Sequence, residues 1–489
     1  MRVSLWPIGL GAIATSVVAQ RVVPLSFSKA GPEHETLRKR AGTYSQELNN
    51  NLTGGGYYAQ VALGTPPQPV TLILDTGSSD VWVLDANADL CQSRRLQNLY
   101  GTCLATYEPA DSSTYKLVDP DAFAIQYLDT SGAEGDYIKD TFHIAGTSVD
   151  ALQVGLAENS SINSGLLGIG FNTNVAADAP YPNIVDLFVD QDLIAIKAYS
   201  LYLDDLYAET GTVLFGGIDT KKFIGQLKAV DILPDVRSKI YSSFTVALES
   251  LKITSNSSSA ASDLLDEEIP VILDSGTTLT YLPPRVARRI YQAYNAVDDS
   301  TNTGLVYVSC ELLSSEKDTT LDFQFGGTNG PLIRIPIDEI VLDNVKGYIS
   351  IGLDVPTLPF DDICSFGIQP LSDIYLLGDT FLRSAYVVYD LSNKKIALAQ
   401  ANLNGTESNV IEITASGIPL VSGVAAQQTP STSTHSDDAG NSGTSTATPD
   451  ESTSDNAAPR VAPPLNWEAT TVTLVAVFFS LVGAGLFAS

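Results

Sequence analysis

Two short stretches of the chain repeat one another. Leu72-Ile73-Leu74-Asp75-Thr76-Gly77-Ser78-Ser79 returns as Val271-Ile272-Leu273-Asp274-Ser275-Gly276-Thr277-Thr278. In each copy an apolar run ends in Asp, and a hydroxyl residue, a Gly and two more hydroxyl residues follow. One Asp-Thr-Gly alone fits any strand-to-turn junction and reads as an Asx-turn. Two copies in matching apolar contexts carry more weight, and each has a distant companion. Leu166-Leu167-Gly168 ends 93 residues after Asp75, and Leu376-Leu377-Gly378 ends 104 residues after Asp274. Such duplication implies two similar halves about a pseudo-twofold axis, with one Asp from each half brought to that axis.

Two carboxylates at one point cannot both ionise easily, because the second charge forms beside the first. The pair therefore retains one proton over a wide pH range, and the titration belongs to the pair. The charged member can then take a proton from water while the other gives one to a carbonyl oxygen. That hydrolysis needs no metal, cofactor or covalent intermediate. Gly77 and Gly276 allow a sharp turn and close approach beneath each carboxylate. Thr76 and Ser275 are placed to hydrogen-bond across the axis. Ser78 and Thr277 can donate to the outer carboxylate oxygens.

Around these loops the pattern is mainly β. Tyr57 to Leu63 runs into Gly64-Thr65-Pro66-Pro67 as a strand into a turn, and Val70 to Leu74 and Val81 to Leu84 read as buried strands. Pro284 to Ala296 is the clearest helix. The composition agrees with this chemistry. The 489 residues carry 27 Lys+Arg against 56 Asp+Glu, a formal charge of −29, and are 44% hydrophobic. That is ample for a large core and repels a nucleic-acid phosphate backbone. The 3 His residues exclude a His-rich metal site and leave little for Ser-His or Cys-His catalysis. The 4 Cys group by spacing as Cys91/Cys103 and Cys310/Cys364, a count that suits two disulfides in an oxidising compartment.

These motifs resemble those of the pepsin-type aspartic endopeptidases, and the whole chain resembles their fungal GPI-anchored, yapsin-like branch. The resemblance covers roughly Gly56 to Gln400. It implies a bilobal, mainly β double barrel, with lobes at 41–236 and 237–403, acting as a monomer on protein and peptide substrates. Asp75 and Asp274 become the catalytic pair. Tyr127 matches the tyrosine of a flap hairpin that also carries Asp129, and Trp82 matches the tryptophan supporting it. Cys91–Cys103 and Cys310–Cys364 match one disulfide in each lobe. The flap departs from the family pattern, because Leu128 and Thr130 stand where glycines are usual. The acidic run Asp263-Leu264-Leu265-Asp266-Glu267-Glu268 offers a preference for basic substrate residues, or simply a solvated surface. A catalytically silent binder on the same scaffold and a wall adhesin are the competing classes. Both aspartates with their hydroxyl neighbours speak against the first, and the adhesin gives the paired site no role.

The ends of the chain suggest export and anchoring. Residues 1–19 have the basic start, apolar run and small-residue site of a signal peptide. Residues 20–40 carry Arg21, Lys29, Arg38, Lys39 and Arg40 against Glu33 and Glu35, and end in the dibasic pair Lys39-Arg40. A basic segment on an acidic body suits a removable pro-segment, and an exposed basic linker is the plainer alternative. Residues 404–456 read as a stalk, with 14 Ser/Thr among the 26 residues of 429–454. Asn456 with Ala457 and Ala458, a spacer, and an apolar tail from Val472 to Ala488 within 457–489 form a GPI-attachment pattern. A tail-anchored span is the competing reading. Sequons begin at Asn51, Asn159, Asn256 and Asn404.

Overall fold

The computed structural model describes residues 21–28, 56–208, 210–255, 263–350 and 355–425. Its organising feature is the repeated strand-to-Asp stretch. Gln68–Asp75 is buried over its last six residues, as its unbroken apolar run requires. It lies parallel to Gly165–Gly168, with Leu74 opposite Leu167 and Asp75 opposite Gly168. In the other half Ile269–Leu273 lies parallel to Leu376–Leu377, with Leu273 opposite Leu377. Each leucine pair therefore packs beside the strand that delivers an Asp, and the two halves share one local topology.

The halves are joined by sheet as well as by chain. One 14-stranded sheet holds Ala198–Tyr202 of the first half against Ala385–Asp390 of the second. Beyond the first Asp loop this sheet continues through Val81–Asp85 and Thr147–Ser160 to the hairpin Lys116–Gln126 and Gly132–Ile144. The second half has its own seven-stranded sheet around Ile269–Leu273 and a four-stranded one around Leu305–Ser309. Pro284–Tyr294 is a helix with Pro at its start and Val286, Ala287, Ile290, Tyr291 and Tyr294 buried, and it ends at left-handed Asn295. The buried residues follow the three-and-four spacing of one helix face. Disulfides join Cys91 to Cys103 and Cys310 to Cys364, with Cα–Cα separations of 5.2 and 5.1 Å.

Two segments near the ends of the described chain are built into this body. Val23–Ser28 lies between Thr210–Phe215 and Tyr58–Leu63 in the large sheet. Its Val23, Leu25 and Phe27 are buried, and Phe27 meets Tyr57 edge-on at 5.2 Å. The start of the basic segment is thus an internal strand and not an exposed linker, because period-two apolar residues have a sheet face to cover.

The second segment corrects the boundary drawn at residue 403 between body and stalk. Residues 404–425 lie folded on the body. Val410–Glu412 pairs with Gly217–Asp219, and Ile413 is buried. Asp219 accepts hydrogen bonds from Asn409 N at 2.8 Å and Ser408 Oγ at 2.6 Å. Val424 N donates to Phe223 O, and Gly225 N to Val424 O. A polar composition suggested a stalk, whereas Val410, Ile411 and Ile413 supply enough apolar surface to hold it down. No helix among the described residues is long and apolar enough to cross a membrane.

Ending the chain after Leu403 removes this strap and uncovers the face that Ile413 covers. Such a protein is expected to melt at least about 5 °C below one ending after Ala425, given a few °C per kcal/mol for a chain of this size. Equal melting temperatures by calorimetry would show that the strap contributes no stability.

Candidate active site

Each Asp loop is arranged by its own backbone first. Gly77 N donates to Asp75 Oδ1 at 2.7 Å, and Gly276 N to Asp274 Oδ1 at 2.9 Å. Ser78 Oγ donates to Asp75 Oδ2, and Thr277 Oγ1 to Asp274 Oδ2 at 2.6 Å. The inner and outer oxygens of the two carboxylates therefore have equivalent donors.

The loops then grip one another across the axis. Thr76 N donates to Ser275 Oγ at 3.2 Å, and Ser275 N to Thr76 Oγ1 at 2.9 Å. Thr76 Oγ1 donates to Leu273 O at 3.1 Å, and Ser275 Oγ to Leu74 O at 3.0 Å. All four bonds are buried, so they form without competition from water. The grip brings the carboxylates together: a Cβ added to Gly77 would lie 2.6 Å from Asp274 Oδ1. Gly77 is thus required by the close approach of the other half's Asp.

Both Asp75 and Asp274 are fully buried. Burial raises the pKa of Asp75, opposed by Ser78 and Gly77. Burial and then the charge of Asp75 hold Asp274 well above the usual carboxylate range, against Thr277 and Gly276. A pair in this environment keeps a proton well past ordinary carboxyl titration, and can serve as base and acid together.

Tyr127 follows the first strand of the hairpin Lys116–Gln126 and Gly132–Ile144, and burial and then the nearby charge of Asp75 hold its pKa well above the usual tyrosine value. Tyr127 is almost fully buried, and its hydroxyl accepts from Trp82 Nε1 at 2.9 Å. Trp82, Phe123, Ile125, Tyr137 and Tyr181 pack with Tyr127 in one cluster. Asp129 lies at the hairpin tip, where its Oδ1 accepts from Ser131 N at 2.9 Å and Ser131 Oγ at 2.6 Å.

Of the acidic run, Asp266 is paired with Arg285 and Arg289 of the helix at 2.7 and 3.0 Å. Asp263 accepts from Leu251 N and Leu265 N, so much of that run is occupied locally. Asn159 is exposed at the end of Thr147–Ser160. Asn404 is exposed, and its side-chain amide donates to Asp205. Asn51, Asn256 and Asn456 lie outside the described residues, as do the signal peptide, the dibasic pair and the apolar tail.

The motifs alone do not point to Asp80, Asn174 or Tyr199 with Tyr389. Asp80 is fully buried and accepts from Tyr137 Oη at 2.9 Å, Tyr181 Oη at 2.6 Å and Ala176 N at 2.7 Å. An acid set directly before the buried run Val81 to Leu84 must be buried and therefore partnered, which is the one signal available. Asn174 Nδ2 donates to Gly77 O at 3.1 Å. Tyr199 and Tyr389 stack at 5.0 Å, one from each half. These last contacts have no local signature, since their partners are far apart in sequence.

Residues 56–401 match the family model described as eukaryotic aspartyl protease. The chain is 40% identical over 413 residues to the probable aspartic-type endopeptidase opsB of Aspergillus oryzae, covering 82% of this chain and 80% of that protein. It is 39% identical over 398 residues to its counterpart in Trichophyton verrucosum, covering 79% and 77%. It is 36% identical over 370 residues to secreted aspartic protease 1 of Candida albicans, covering 75% and 86%. The chain belongs to the eukaryotic aspartyl protease family and is an aspartic endopeptidase.

The raised carboxyl pKa values carry a stability consequence with a definite sign. A folded state that holds its protons more tightly than the unfolded chain loses stability as pH rises. The loss begins near the unfolded Asp value of about 3.9 and ends at the raised folded value. Asp274→Asn removes the shared charge, so its melting temperature should fall less than that of the unaltered protein as pH rises from about 4. Parallel melting curves for the two proteins across that range would contradict the assignment of buried, mutually repelling carboxyls.

Proposed function

We propose that this aspartic endopeptidase acts through Asp75 and Asp274, is made as a zymogen, works at the cell surface on a lipid anchor, and favours basic residues in its substrates. The observation that carries the catalytic assignment is the mirrored pair of buried carboxylates, held by four cross-axis hydrogen bonds. Water bound between them loses a proton to the charged carboxylate, and its oxygen bonds to the substrate carbonyl carbon. The other carboxyl gives its proton to the carbonyl oxygen. The resulting tetrahedral species expels the amine as the C–N bond breaks, with a proton delivered to nitrogen and the dyad restored to one proton. Tyr127, braced on Trp82, closes over the substrate and excludes bulk water.

The other elements of the proposal have separate support. The strand Val23–Ser28 gives the basic segment a structural place upstream of Lys39-Arg40. The small triplet and apolar tail after a Ser/Thr-rich stretch fit GPI attachment and the yapsin-like branch. Asp129 uses one oxygen in its own turn, and its second takes no hydrogen bond among the described residues, so it can meet a substrate Lys or Arg.

The main experiment is cleavage of an unstructured protein from pH 3 to 7 by the processed chain ending at Ala425. Activity should be highest at acid pH, blocked by pepstatin, and at least about a thousandfold lower in Asp75→Asn, the upper range for general acid–base catalysis. A folded Asp75→Asn protein that cleaves normally would rule out this pair. Joint replacement of Lys39 and Arg40 by Ala should leave the chain unprocessed and inactive; full activity without processing would end the zymogen proposal. Release of surface protein by a phosphatidylinositol-specific phospholipase tests the anchor. Asp129→Asn should lower kcat/KM for a Lys-containing peptide relative to its Leu counterpart by roughly fivefold, about 1 kcal/mol for a partly exposed ion pair. An unchanged ratio would move the basic preference elsewhere or remove it.

A further inference from the structure

The tip of the flap hairpin holds a conformational anomaly that the hydrolytic chemistry does not require. Among the described residues, the non-glycine residues with positive φ are Asp, Ala, Lys and Asn, with one exception. Thr130, at φ 70°, is the sole β-branched member. Branching at Cβ makes the left-handed region costly, and such a residue is an outlier there.

The surrounding bonds show why the backbone must adopt it. Thr130 N donates to Tyr127 O at 3.0 Å, closing a turn through Leu128 and Asp129, and Tyr127 N donates to Ser131 O at 2.8 Å. These nested bonds belong to a hairpin loop whose last residue is left-handed, where Gly is the unstrained choice. Asp129 Oδ1 grips both Ser131 N and Ser131 Oγ, so the turn cannot relax on that side. Tyr127 therefore has its backbone N and O committed to the turn and its hydroxyl committed to Trp82. Leu128, beside it, projects with 38% exposure.

We propose that Thr130 is a positioning residue for the flap. Confined to one narrow backbone well, it stiffens the tip, so the hairpin swings as one piece and presents Tyr127 and Leu128 to substrate already ordered. Bending is left to the stem, where the ladder with Thr147–Ser160 shifts register at Glu134/Gly135. A tip closed by Gly would sample both signs of φ and would order only on binding, which weakens affinity. The inference rests on the reading of this hairpin as the flap over the Asp75–Asp274 pair.

The test compares Thr130→Gly with Thr130→Asn, because Asn accepts the left-handed region while retaining a side chain. It uses only peptide-cleaving activity that Asp75→Asn abolishes, so failure of the catalytic assignment is seen separately. Thr130→Gly should raise KM about threefold to tenfold, the cost of ordering one loose segment, with kcat changed less than about twofold. Amide exchange at Thr130 and Ser131 should quicken, and the melting temperature should not fall. Thr130→Asn should keep KM and exchange near those of the unaltered protein. Unchanged KM and exchange in Thr130→Gly would overturn the proposal. So would a lower melting temperature with equal loss of kcat in both variants, since that pattern marks the Thr130 side chain as packing.

Discussion

Two buried carboxylates repel each other, and a fold that sets them together must prevent its own halves from drifting apart. The reciprocal hydrogen bonds of Thr76 and Ser275 meet that requirement. Each bond contributes only about 1 kcal/mol net, which by itself would be modest. Their number and burial change the balance. Separating the loops would leave two backbone N–H groups, two carbonyls and two hydroxyls unsatisfied in a dry interior, at about 1–3 kcal/mol for each group. The same geometry sets Gly77 against Asp274, so a side chain at Gly77 is excluded by the other half's carboxylate.

The layers beneath and beside the grip are packed to keep it in place. Tyr199 and Tyr389 stack on one another across the halves, and Phe244 meets Tyr389 at 4.6 Å. Burial raises the pKa of both tyrosines, so they remain neutral hydroxyls. On the second half, Arg383 and Glu339 form a buried ion pair, each side chain 4% exposed, with Glu339 Oε1 also accepting from Leu206 N of the first half. Removing either partner would strand a buried charge. Asp80 ties the first Asp loop to Tyr137 of the hairpin strand Gly132–Ile144 and to the segment carrying Ala176 and Tyr181. The Asp75 loop and the hairpin are therefore fastened to one frame, and the hairpin tip carries Thr130 at positive φ.

The sheet edges explain the roles of the chain's outer segments. Thr210–Phe215 and Tyr58–Leu63 would each present backbone groups to water without Val23–Ser28 between them. Gly217–Asp219 would be in the same position without Val410–Glu412. Arg21 lies 3.5 Å from Asp192 and 3.9 Å from Glu412, so the two added strands meet at one corner of the body. At that exposure these ion pairs contribute little stability, and the strand pairing and buried apolar residues hold the segments.

The duplicated motif, the hydroxyl and glycine neighbours, the strand runs ending in Asp and the helix at Pro284 were legible in the residues themselves. Each depends on local spacing: apolar alternation or runs for strands, an i, i+3, i+4 face for the helix, and short polar residues at turns. The repeat even indicated that two distant aspartates share an axis. What the sequence could not reveal is which remote groups satisfy each buried polar atom. Asp80 finds Tyr137 and Tyr181, Gly77 finds both Asn174 and Asp274, and residues 404–425 find Asp219 and Phe223. Those choices are made by tertiary packing, because a buried donor or acceptor takes whichever partner the folded chain brings within hydrogen-bond reach. Local composition sets where the chain turns and what it must bury, and only the closed fold decides what meets at the axis.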